Sequence, residues 1–127
     1  MNQPDKLVLT DLTFNACHGV LPVEKRRRQE FRVNVELEVD LRRAGRTDDL
    51  AHAIDYCAVQ SVVGEVVEGA HRYLIEALAE DIAQRLLARF ARARAVSVEV
   101  VKPEPPVTFK FAGVSVRIRR TRTRRGR

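Results

Sequence analysis

Tryptophan is absent from this sequence, methionine occurs once, and cysteine occurs only as Cys17 and Cys57. Two cysteines are too few for a disulfide scaffold, so packing alone must hold the core, and a reduced, cytoplasmic setting is expected. No stretch approaches the ~20 apolar residues of a membrane helix. The opening residues, Met1 to Lys6, are polar and offer no apolar segment of a secretory signal. The three histidines, His18, His52 and His71, are far apart in sequence. With no Cys-x-x-Cys or His-x-His pair, a metal site is not expected. No Gly-x-Gly-x-x-Gly or phosphate-loop pattern occurs either, which removes the usual nucleotide cradles and leaves no cofactor to expect.

What is present suits one soluble domain: 127 residues, 45% hydrophobic and 31% charged. The net charge of +6 is unevenly placed. Arg119 to Arg127 contains six arginines, as many as the whole excess, so residues 1–118 are formally neutral. A basic end without aromatics attracts polyanions weakly and without sequence choice. The reading is a domain over residues 1–120 and a solvated, disordered tail over 121–127.

Hydrophobic periodicity supplies the elements. From Phe31 to Arg42 apolar and polar residues alternate strictly, which predicts a long strand with one buried face. Lys6 to Ala16 reads as its partner, with Val8, Leu12, Phe14 and Ala16 on one face. The connection, His18 to Gln29, is too long for a tight hairpin and is a place where function tends to sit. Ala44 to Asp49 reads as turn. Val59, Val62, Val63, Val66 and Val67 recur at helical spacing within Ala58 to Glu68. Ile75, Leu78, Ile82, Leu86 and Phe90 do so within Leu74 to Ala91. Val96, Val98 and Val100 alternate as a third strand, and Val114, Val116 and Ile118 as a fourth. The order ββααββ predicts an α+β domain, an antiparallel sheet with two helices on one face. Such a sheet has exposed edges, so pairing with further copies is expected.

Several residues are candidates for chemistry. Lys102 continues the parity of Val96, Val98 and Val100 and should point inward, where burial favours the neutral amine and permits acid–base work. The plainer reading is a solvated turn lysine. Glu76 has apolar neighbours on both sides and needs a donor, or else it serves the dipole of a helix start. Glu24 can be surface charge facing Lys25 and its neighbouring arginines. Tyr56, before a helix, can be a core tyrosine. Cys17 beside His18 has the look of a nucleophile and base, but neighbours on a strand face opposite ways.

Five segments in order resemble the dihydroneopterin aldolase family over residues 6–119. They are His18-Gly19-Val20-Leu21-Pro22-Val23-Glu24 with Gln29 following, Ala44 to Asp49, Asp55-Tyr56, Leu74 to Glu80, and Val101-Lys102-Pro103. The resemblance implies the tunnelling fold, a barrel of ββααββ units assembled as a tetramer or octamer. It implies a pterin substrate, cleavage of 7,8-dihydroneopterin without metal or Schiff base, and active sites between subunits. Glu76, with the backbone at Ile75, would hold the pterin edge. Tyr56 would come from a neighbouring subunit, and Glu24 and Lys102 would surround the reacting side chain. Cys57 departs from the family's usual glycine. The alternatives are a dihydroneopterin triphosphate epimerase, which shares fold and first step, and a non-enzymatic oligomer that binds nucleic acid through Lys25 to Arg28 and the terminal arginines.

Overall fold

A computed structural model describes residues 3–122. Strand β1 runs Lys6–Ala16 and β2 Gln29–Glu38. A short helix α1, Arg42–Thr47, is followed by α2, Tyr56–Val67, and α3, Ile75–Arg89. Strands β3, Ala95–Lys102, and β4, Val114–Thr121, complete the chain. The four strands form one antiparallel sheet in the order β1-β2-β3-β4. The α+β reading therefore holds, and β1 and β4 are the sheet's two open edges.

Alternation decides what lies under the helices. Phe31, Val33, Val35 and Leu37 of β2 and Val96, Val98 and Val100 of β3 are buried. They meet Val59, Val63, Val66 and Val67 of α2 and Leu78, Ile82 and Leu86 of α3. Burying such side chains contributes about 1.5–3 kcal/mol each before chain entropy is counted. The helical period thus overrides the poor helix propensity of the α2 valines. Asp55 caps α2 by accepting from the Cys57 amide at 2.9 Å. The other sheet face is polar and cross-linked. Asn34 and Arg117 both donate to Glu99, and Arg119 donates two hydrogen bonds to Glu38.

Three expectations need correction. The alternation to Arg42 continues past the strand, which stops at Glu38 because both neighbours run out there: Lys6 and Ala95 are the last residues paired with it. Ala44 to Asp49 is not all turn, since α1 covers most of it. Val8 is half exposed, on the face opposite Phe14. A bulge between Leu9 and Leu12 shifts the register, with Asp11 at φ 57° and its amide donating to Asn34. Leu7 and Leu9 therefore share the inner face with Leu12, Phe14 and Ala16.

The terminal arginines are also not a free tail as far as they are described. Arg120 donates to Glu80 of α3, and Arg122 donates to the carbonyls of Phe90 and Ala93, where α3 ends. Residues 123–127 lie outside the described residues. No helix among the described residues is long and apolar enough to cross a membrane.

Candidate active site

The long connection after β1 folds around one glutamate. Pro22 starts a single 3-10 turn, Pro22–Lys25, with its ring already near the required φ. Glu24, third in that turn, reaches back and accepts from the Leu21 amide at 3.1 Å. Its other oxygen accepts from Lys102 Nζ at 2.7 Å and from Gln29 Nε2 at 3.2 Å. Glu24 is only 3% exposed, and the Lys102 side chain 11%. Gly19 packs against this carboxylate. Its φ is +149°, and a Cβ there would overlap the Glu24 carboxyl group. Glycine is thus required twice over at that position.

The inward parity of Lys102 is confirmed, but its partner changes the electrostatics. The ammonium meets a buried carboxylate rather than only apolar wall, so the pair offsets part of its own desolvation. For Glu24, burial pushes the carboxyl pKa up. Hydrogen bonds from Lys102, the Leu21 amide and Gln29 outweigh that and hold it below its ordinary value. Glu24 as surface charge beside Lys25 is the reading that fails: a contact 78 residues away in sequence claims it.

The segment entering α3 is tied to the same loop. The Gly19 amide donates to the Arg72 carbonyl at 3.0 Å, and His71 Nε2 lies 2.9 Å from the Gly19 carbonyl. Lys25 sits over the Tyr73 ring, 5.4 Å from its centroid. These contacts bring the start of α3 alongside the Glu24 turn. Ile75 and Glu76 are its first two residues; Ile75 is partly buried, and Glu76 is exposed with no hydrogen-bond partner among the described residues. Leu74, at the N-cap, supplies no side-chain cap. Open first-turn amides and a solvated carboxylate side by side can present both acceptor and donors to a ligand's edge.

Tyr56 is not brought to this group. It is 63% exposed at the first position of α2. The other end of α2, Val67, contacts His18; eleven residues of helix rise separate them, about 16 Å. Cys57, next to Tyr56, is exposed as well. The Cys17–His18 dyad is excluded on geometry. His18 is buried, with Nε2 2.6 Å from the Val67 carbonyl and Nδ1 accepting from the Arg72 amide at 3.0 Å, so neither ring nitrogen is left for a thiol.

Among the described residues no three His, Cys, Asp or Glu side chains gather as a metal ion would need. A cleft of about 900 Å3 opens at the opposite end of the sheet, bordered by Glu38, Asp40, Arg42 and Arg119. Two charge pairs there are already matched, Arg42 with Asp40 and Arg119 with Glu38, while Asp5 and Arg94 also line it. The chemistry therefore concentrates at the Glu24–Lys102 end. Sequence reasoning missed two members of that group, Gln29 and His18, as holders of the glutamate turn. A polar residue opening β2 and a histidine two residues past β1, at the two ends of one loop, were the available signal.

The family model described as dihydroneopterin aldolase matches residues 7–119. A dihydroneopterin aldolase of Bacillus subtilis is 39% identical over 103 residues, covering 81% of this chain and 86% of that one. Dihydroneopterin aldolase 1 of Arabidopsis thaliana is 39% identical over 102 residues, 80% of this chain and 70% of its own. Among solved structures, the E. coli dihydroneopterin aldolase in complex with neopterin superposes with a TM-score of 0.84 at 32% identity, covering 91% of this chain and 98% of that one. A uricase from Bacillus fastidious shares the fold alone, with a TM-score of 0.68 at 12% identity over 97% of this chain and 48% of its own.

Proposed function

The chain belongs to the dihydroneopterin aldolase family, and from that premise we propose how its residues divide the reaction. The activity is carbon–carbon lysis in folate biosynthesis: 7,8-dihydroneopterin gives 6-hydroxymethyl-7,8-dihydropterin and glycolaldehyde. Glu76 accepts the two parallel N–H donors of the pterin's amino-pyrimidinone edge, and the backbone at Ile75 completes that edge. The Glu24–Lys102 pair faces the reacting side chain. Lys102, reacting in its neutral-amine form and through water, takes the proton of the 2′-hydroxyl as the C1′–C2′ bond breaks. The bond's electrons pass to C1′–C6 and on to N5, which is protonated. Protonation at C1′, with loss of the N5 proton to water, then restores the C6=N5 bond and yields the hydroxymethyl product. The substrate's own C=N bond is the electron sink, so no Schiff base or cofactor is called for.

The observation that carries this reading is the buried 2.7 Å contact between Lys102 Nζ and Glu24 in a loop bonded to the start of α3. Tyr56, at the opposite end of α2 from the Val67 contact with His18, serves a neighbouring subunit's site, where it flanks the pterin and relays a proton. Strands β1 and β4 leave their outer edges unpaired, which suits closure with further copies into a barrel, as a tetramer or a stacked octamer. The setting is cytoplasmic. Rebonding of the cleaved fragments gives the 2′-epimer as a minor product, since both outcomes share the first bond cleavage. The nucleic-acid reading loses its support in part, because Arg119, Arg120 and Arg122 are engaged within the chain.

Purified protein incubated with 7,8-dihydroneopterin and a chelator, with products separated by chromatography, tests the proposal. Equimolar glycolaldehyde and 6-hydroxymethyl-7,8-dihydropterin are expected; epimer alone, or no turnover, rejects it.

A further inference from the structure

His18 sits where three segments meet, and its two ring nitrogens face groups of opposite kind. The Val67 carbonyl can only accept, so Nε2 must carry the proton of that 2.6 Å contact. The Arg72 amide donates, so Nδ1 must be bare. One neutral tautomer satisfies both partners; the imidazolium satisfies only the Val67 carbonyl, and the other neutral tautomer satisfies neither.

We infer that His18 is a positioning residue of the aldolase: a neutral, Nε2-protonated latch that holds Glu24 and the start of α3 in register, and whose protonation releases both. The inference rests on the function proposed above.

The latch acts through short paths. The His18 carbonyl accepts from Gln29 Nε2 at 3.3 Å, and the same nitrogen donates to Glu24. Gly19, the next residue, is bonded to Arg72 and His71. The Arg72 guanidinium is held in turn by Asp81 of α3 at 2.9 Å. Glu24 at the reacting end and Glu76 at the pterin end are therefore placed relative to each other through one imidazole. A proton at Nδ1 would point at the Arg72 N–H, and the contact would turn repulsive.

The surroundings oppose that proton. Burial lowers the His18 pKa most, and the charges of His71, Arg72 and Lys102 add to it; the Val67 carbonyl, at the negative end of α2, works the other way. The Glu24 carboxylate also favours a cation, but Lys102 is bound to it. The result lies below the ordinary 6.5. The ring therefore stays neutral in the folded protein at neutral pH and titrates only in acid.

Two measurements test this. Nitrogen-15 spectra of histidine-labelled wild-type protein at pH 7.5 (a neutral buffer, about one unit above a free histidine) should show His18 with a protonated Nε2 and a bare Nδ1. An Nδ1–H tautomer or an imidazolium overturns the proposal whether or not any variant folds, and whether or not dihydroneopterin is the substrate. The second measurement is turnover against pH. His18→Phe keeps the ring volume and loses both bonds, and kcat should fall roughly 10²-fold, the order of a misplacement of about 1 Å, with KM rising as the start of α3 is released. His18→Gln places an amide N–H near the Nε2 position and cannot titrate. It should recover at least tenfold of the loss and move the acid fall of kcat to lower pH than in the wild type. A glutamine variant with the wild-type acid limb, or no better than phenylalanine, overturns the latch.

Discussion

Lys102 and Glu24 share one short contact, yet their removal should have different signatures. A positioned acid–base group contributes typically 10²–10⁴-fold, so Lys102→Ala should lower kcat by about that factor. Pterin affinity should change little, because Glu76 and the first turn of α3 remain. Lys102→Arg keeps the charge but not a releasable proton, and should fail as well; rapid-quench turnover with calorimetric binding separates the cases. Glu76→Ala should do the reverse. Two charge-assisted hydrogen bonds of about 1.5–3 kcal/mol each are lost, so pterin binding collapses while the fold survives. An unchanged pterin affinity would return Glu76 to the role of a helix-start carboxylate. Glu24 adds a pH dependence whose sign is fixed. Its pKa is lowered on folding, so its stabilisation is present above the unfolded value near 4.5 and is lost as pH falls through the lower folded value. Thermal unfolding of Glu24→Gln against wild type should therefore show a gap at pH 6, about 1.5 units above the unfolded value, that narrows as pH falls below that unfolded value.

At the scale of elements, most of the architecture was legible because the core is built from alternating and helical periods. Strand β1 and helices α2 and α3 fall within two residues of where the pattern puts their main spans. The failures have physical causes. Val39 and Leu41 keep the β2 alternation after the ladder partners have ended, and pattern alone cannot see a missing partner. One inserted residue at the Asp11 bulge moved Val8 to the wrong face. In the site, the inward parity of Lys102 was readable from Val96, Val98 and Val100, whereas the burial of Glu24 depends on a contact spanning the chain. The roles of Glu76 and Tyr56 came from family resemblance and not from any period. Arg122 yields a prediction at this scale. It donates to two carbonyls where α3 ends, so Arg122→Ala should cost about 1 kcal/mol and lower the melting temperature. Removing residues 123–127 should leave both melting temperature and turnover unchanged.

For the whole molecule, the separation of Tyr56 from its own Glu24–Lys102 pair can be tested by mixing. Tyr56→Ala and Lys102→Ala chains, each weakly active alone, should regain turnover when unfolded and reassembled together. In a random equal mixture roughly a quarter of sites would hold both wild-type residues, one from each neighbour. No recovery in verified mixed assemblies would place both residues of a working site in one chain.

The bulge in β1 carries one more implication. In the barrel proposed above, where β1 of one copy meets the unlike edge β4 of the next, copies add head to tail, and such a series ends either in a closed polygon or in an endless fibre. The number of sides is set by the angle each sheet turns through. A bulge increases local twist, so the single extra residue at Asp11 is a term in that angle. Deleting it changes no residue of the Glu24–Lys102 pair, yet it alters the angle by which successive sheets turn and so the number of copies needed to complete a circle.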